Sequence, residues 1–318
     1  MNIKKMAGSG LLALISLSLG GCTIAPDLSS IQAERSKSVH RYDISQALAA
    51  NGQSVVAGSQ SGVALVSLDQ GQTWQRQALG AASLIGLTTC PDGSYLGIDF
   101  YHKVWTADGS GKNWKSTPLD KPRVPLAVTC DSKGQWWVTG SGTKIAKSAD
   151  KGASWQLTDL GEDAQLTTLQ FIDDFGIAMG EFGMVVTSHD AGQSWKKGPS
   201  IANDFYPYAT LMLDKNEGWT SGIAGQLLHT QDGGLTWQKG ANATNTPLYR
   251  LFRHDGQLYG AGAGGVVARL DQHTWHAMPY PDAQPMYLGA ATSLNNPQSA
   301  IAIGGPGGLL RVLGTKTN

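Results

Sequence analysis

One short pattern returns along this chain at almost constant intervals, and it restricts the fold more than any other feature. "SLDQGQTW" ends at Trp74, "TADGSGKNW" at Trp114, "SADKGASW" at Trp155, "SHDAGQSW" at Trp195 and "TQDGGLTW" at Trp237, and a worn copy, "RLDQHTW", ends at Trp275. Their aspartates, Asp69, Asp108, Asp150, Asp190, Asp232 and Asp271, are 39, 42, 40, 42 and 39 residues apart. A fixed period of about 40 residues marks a repeat architecture, in which each unit buries its apolar face only against its neighbours. Each copy follows a short apolar run such as "GVALVS", "GMVVTS" or "GQLLHT". Two more strand-like stretches precede that run, and a fourth strand begins at the tryptophan. Four short strands per period are the blade of a β-propeller.

A seventh unit lacks the pattern but keeps the rhythm: "MYLGAATS", "SAIAIGG" and "GGLLRVLG" match the first three strands of a blade, and then the sequence ends. The expectation is an all-β, seven-bladed β-propeller of four-stranded antiparallel blades over residues 40–318, with six blades as the alternative. The segment from Ser38 to Tyr42 is expected to supply the missing outer strand, so that no long edge stays open.

The repeated pattern itself reads as a corner. Its aspartate can accept hydrogen bonds from backbone amides further along the turn, glycine supplies the positive φ the hairpin needs, and the indole fills the space between sheets. The hydroxyl residues are expected to pair across the hairpin. A phosphate or calcium loop would need a following Gly-Lys-Ser/Thr or more oxygen ligands. The six aspartates and the tryptophans Trp74, Trp114, Trp155, Trp195, Trp237 and Trp275 are therefore structural. They lie on the face opposite the one where propellers bind ligands.

The first 21 residues read as a secretory leader: Lys4 and Lys5, an apolar stretch from Leu11 to Leu19, then small residues. Leu19-Gly20-Gly21-Cys22 has the form of a bacterial lipobox, which makes Cys22 the lipidated residue; Thr23 after it points to the outer membrane, facing the periplasm. Residues 22–39 are polar and read as a tether. The formal charge is zero for the whole chain, and no basic run points to nucleic acid. Seven scattered histidines offer no zinc spacing, so neither metal nor cofactor is expected. Cys90 and Cys130 occupy equivalent places in successive repeats. An oxidising periplasm permits a bridge, but equivalent positions in neighbouring blades are often too far apart, and the two are read as small buried thiols.

The corners resemble the Asp-box, or BNR, repeats of sialidases, sortilin-type receptors and the photosystem II assembly-factor family. Residues 216–237, "NEGWTSGIAGQLLHTQDGGLTW", are most similar to the last. That resemblance implies a seven-bladed propeller without catalysis, which binds partner proteins while a membrane complex is assembled. The chain departs from that family in having only eight scattered arginines where an arginine-rich patch is typical. A sialidase would instead need three converging arginines and paired acids. Here "PRVP" places Arg123 too late in the chain, and Arg311 follows an outer strand.

Naming the strands of a blade A to D from the axis outward, the ligand face carries the B-to-C and D-to-A connections. Most B-to-C turns are small, the exceptions being "DFYHK" with Tyr101 and "GEFG" with Glu181 and Phe182. The D-to-A loops offer Arg123, Phe205, Tyr206, Tyr208, Tyr249, Arg250, Tyr280 and Tyr287. Tyrosine with a few arginines is the composition of a protein-binding surface. The expected partner is a membrane protein or complex of the cell envelope, bound by a monomer, with Tyr206, Tyr208, Tyr249 and Arg250 as the first choices. The alternative is a glycan binder or sialidase-like hydrolase of the envelope.

Overall fold

Strands of five or six residues with both faces apolar cannot stay in water singly, and here they stack as blades around an axis. The computed structural model describes residues 27–202, 205–294 and 299–315. Five sheets have four antiparallel strands in the order A-B-C-D; the first runs Ser45–Ala50, Val55–Ser59, Val63–Ser67, Gln75–Ala78. The sixth has the same four plus a two-residue strand, Ala241–Asn242, parallel to its outer edge. The seventh has three: Ala290–Leu294, Ala300–Gly304 and Leu310–Gly314. Each inner strand packs on the inner strand of the next blade, and the seventh returns onto the first. There are seven blades, not six. The B strands are buried along their length in all seven except at the exposed first residue Gln257 of blade six, as a layer with a sheet neighbour on each face requires.

The corners act as the sequence predicts, with one change. Asp69 accepts the Thr73 amide (2.8 Å) and hydroxyl groups from both Ser67 (2.7 Å) and Thr73. Asp150, Asp190 and Asp232 repeat this arrangement. The hydroxyls therefore meet on the carboxylate, not on each other. Asp108 uses Ser110, Lys112 and Asn113 instead, and the worn Asp271 simply pairs with Thr274 in a hairpin. Each tryptophan packs into the seam with the preceding blade: Trp114 against Val56 and Val66, Trp155 against Leu96 and Val104, Trp195 against Trp137, Trp275 against Trp219. Trp74 does the same at the junction of blades seven and one.

The outer strand expected from Ser38 to Tyr42 is not formed among the described residues. His40 and Asp43 instead close a turn: the Asp43 amide donates to the His40 carbonyl (2.9 Å), and the His40 amide donates to the Asp43 carboxylate (2.7 Å). Arg76 of blade one grips the same carboxylate at 2.7 and 2.9 Å. Held in this turn, the segment docks on the B-to-C turn of blade seven, where the Gly308 amide donates to the Asp43 carbonyl. The ring is closed by apolar packing of Leu48, Val55, Leu65 and Trp74 against Leu294, Ala302 and Val312.

The thiol expectation is also overturned, since Cys90 and Cys130 form a disulfide with a Cα–Cα distance of 5.2 Å. Cys130 ends the inner strand of blade three and Cys90 directly follows that of blade two, and inner strands are where neighbouring blades converge. Residues 1–36 form a unit of their own. Its described part is the helix Ser29–Arg35, inside the stretch read as a tether. The leader and Cys22 lie outside the described residues. No helix among the described residues is long and apolar enough to cross a membrane.

Candidate functional site

The inner strands make the site by a shared irregularity. In blades one to six the A–B hairpin bulges at the second residue of strand A: Gln46, Ile85, Leu126, Thr167, Tyr208 and Tyr249 stand without a partner across the ladder. A bulge turns the strand and re-aims the residue it frees. Repeated around the axis, it delivers a ring of side chains to the upper mouth of the central channel. Gln46, Ile85, Tyr249, Arg250, Tyr287 and Gly289 line a cavity of about 390 Å³ there. A second cavity of about 280 Å³ follows the axis and is lined from all seven inner strands, by residues that include Leu48, Leu87, Val128, Leu169, Thr210, Leu251 and Ala291.

Four of the expected residues form a continuous arc on one side of the mouth. The ring centroids of Tyr206 and Tyr208 are 5.8 Å apart, those of Tyr208 and Tyr249 5.2 Å, and those of Tyr249 and Tyr287 6.5 Å. The last two pairs meet edge to face, the arrangement ring quadrupoles favour. Burial pushes the Tyr206 hydroxyl above the usual phenol range, and the nearby Glu181 carboxylate adds to the effect. The Tyr206 hydroxyl therefore stays protonated at neutral pH and can donate to a ligand.

The inner-strand position that follows the bulge, with its counterpart Ala290 in blade seven, shows one exception. Ala47, Gly86, Ala127, Thr168, Ala209 and Ala290 are small; in blade six the position is Arg250. Its guanidinium reaches across blade seven, donating to its neighbour's carbonyl at Tyr249 (3.0 Å) and to the Gln46 carbonyl of blade one (3.0 Å). Burial pushes its pKa below the ordinary arginine value.

The matched segment of a family described as "Photosynthesis system II assembly factor YCF48" is residues 106–200, which begins in strand C of blade two and ends after blade four. It lies just ahead of residues 216–237, which carry the resemblance in the sequence itself. Over this segment the chain is similar to photosystem II assembly factors. A photosystem II assembly lipoprotein, Ycf48 of Synechococcus sp. (strain CC9902), is 28% identical over 92 residues, spanning 28% of this chain and 28% of that protein. Among solved structures, YCF48 from Cyanidioschyzon merolae superposes with a TM-score of 0.67 at 16% identity, covering 85% of this chain and 95% of that one. YCF48 bound to D1 peptide gives 0.70 at 14% identity, with 88% and 96% covered. A streptogramin B lyase gives 0.74 at 12% identity, with 86% and 94% covered. At such identities these structures share the fold alone.

Other expected residues of the propeller's upper face are not part of the arc. Glu181 binds the Gln165 amide at 2.9 Å, tying a B-to-C turn to the preceding loop. Phe182, beside it, has φ 59° and a ring 65% exposed; a bulky residue rarely adopts that backbone. Tyr101 is exposed on blade two, in a loop held by the buried Asp99, which accepts the Tyr101 and Lys103 amides and the Trp105 indole N–H (2.7 Å). Arg123 is exposed in the loop entering blade three. Phe205 and Tyr280, noted in the loops, are structural: Phe205 is fully buried, and the Tyr280 hydroxyl donates to the Gly265 carbonyl. Arg311 donates to the Pro281 and Asp282 carbonyls at the outer strand of blade seven, away from Arg250, so the three arginines a sialidase needs do not share a ligand position. Reading the loops missed Phe100, Val124 and Ile223, all exposed on this same face. Their signal was available, since each lies in a B-to-C or D-to-A connection.

Proposed function

We propose that this propeller is a lipid-anchored, non-catalytic assembly factor, similar to those of photosystem II, that holds a membrane protein against its upper face. The tyrosine arc over an open axial mouth carries this reading. Tyrosine supplies large contact area with a polar end at small entropic cost, and such rings dominate binding hot spots. Apolar side chains exposed at Phe100, Tyr101, Phe182 and Ile223 extend the surface around the rim. Support for a membrane-protein partner comes from the relative seen with a D1 peptide and from the lipoprotein relative. The leader ending at Cys22 would place the protein, as a monomer, on the outer membrane facing the periplasm.

The test is capture from detergent extract by wild type and by the triple variant Tyr206→Ala, Tyr249→Ala, Arg250→Ala, each checked for an unchanged melting profile. Wild type should recover a membrane protein that the variant loses. Equal recovery by both, or recovery by neither, would overturn the reading. Blocking lipidation with Cys22→Ser should release the protein from the membrane fraction.

A further inference from the structure

The geometry points to Arg250 as a receptor for one carboxylate, which a bound polypeptide inserts into the axial mouth. This deepens the upper-face reading and rests on it.

Three observations carry the assignment. Arg250 is the exception at a position that is otherwise small in every blade. Among the described residues it brings the only charged side chain to line either the mouth or the channel. It also makes no ion pair among the described residues. Of the nearby acids, Asp43 pairs with Arg76 and Glu181 accepts the Gln165 amide. A cation partly withdrawn from water without a counter-charge is costly, and an anionic ligand lowers that cost.

The guanidinium has five N–H donors in a planar fork. Its bonds to Tyr249 and Gln46 occupy two nitrogens and fix the fork's orientation without neutralising it. A carboxylate matches the fork in shape and cancels one charge with one charge. A phosphate dianion would want a second cation, and the lining holds none. Tyr249 and Tyr287, on the same cavity wall, can donate to the carboxylate oxygens and enclose the adjoining chain.

The test follows the Arg250 Nε–H resonance, assigned by its disappearance in Arg250→Gln, during titration of the full chain. Three probes are used: an N-acetylated Ala-Leu-Ala tripeptide as the free acid, its C-terminal amide, and an amidated peptide with one internal glutamate. The free acid should shift the Nε–H proton in a saturable way, and the plain amide should not. Arg250→Gln should weaken free-acid binding at least tenfold, followed on the tyrosine ring protons, with an unchanged melting temperature. If the glutamate peptide also binds, the carboxylate comes from a side chain; if only the free acid does, it comes from a chain terminus. Equal binding of acid and amide, tighter binding of inorganic phosphate, or no shift with any probe would overturn the assignment. If no probe binds while Arg250→Gln still captures the membrane protein, the carboxylate site fails and the docking face stands. If capture fails for wild type as well, the docking reading itself is lost.

Discussion

At the residue scale the repeated aspartates work through their carboxylates. In blades one to five the carboxylate closes its own corner, just ahead of the tryptophan that seals the seam with the blade before. Hydrogen bonds from Thr73 to Asp69 and from Ser154 to Asp150 hold both carboxyls at about 2, and the Ser194 hydroxyl and amide lower Asp190 likewise. A carboxyl depressed on folding adds stability that is present above its unfolded pKa, near 4, and is lost as pH falls through the folded value. The melting temperature should therefore fall steeply between pH 4 and pH 2, and Asp69→Asn with Asp150→Asn should flatten that limb while lowering the neutral-pH plateau. A limb of unchanged steepness in the double variant would contradict this origin. These corners were legible in the sequence because residue identity alone carries their chemistry: carboxylate, glycine and indole at fixed offsets leave little choice.

Among the elements, the B-to-C turns show how a shared backbone shape is put to different uses. The middle residue of the turn is Ala224 in blade five and Gly264 in blade six, at φ 57° and 65°; in blade four it is Phe182. Holding a bulky side chain in the left-handed region costs about 1–2 kcal/mol, and its exposed ring recovers little by packing. Phe182→Gly should thus be neutral or stabilising by up to about 1 kcal/mol in urea unfolding, yet weaken capture of the membrane protein. A loss of stability without a loss of capture would assign the ring to the fold. "GEFG" announced an unusual turn in the sequence, but its strain did not, because φ at Phe182 is set by the hydrogen bond from the Glu181 amide to the Gln165 carbonyl in another loop. Arg250 was legible as a rim residue for the same reason as its tyrosine neighbours. Its singularity emerged only once the seven inner strands were set side by side around the axis.

For the whole molecule, the number of blades was readable from the period, but the way the ring shuts was not. The outer strand of blade seven was inferred from the pattern of the other six. What the chain does instead depends on Asp43 and Arg76, 33 residues apart, and no local pattern joins them. Asp43 is fully buried, and Arg76 raises the cost of opening this seam. Arg76→Met should destabilise the protein by about 2–3 kcal/mol, below the usual cost of breaking a buried pair because the arginine is partly exposed. Hydrogen exchange should rise first in Leu310–Gly314 and Ser45–Ala50, and a uniform rise around the ring would contradict a local seam. The bond between Cys90 and Cys130 works at this scale as well, since it ties together the ends of the inner strands of two successive blades. A protease that nicks the loops of blade two anywhere between them leaves two pieces still held as one molecule, so damage to that blade stays covalently silent until a reductant arrives.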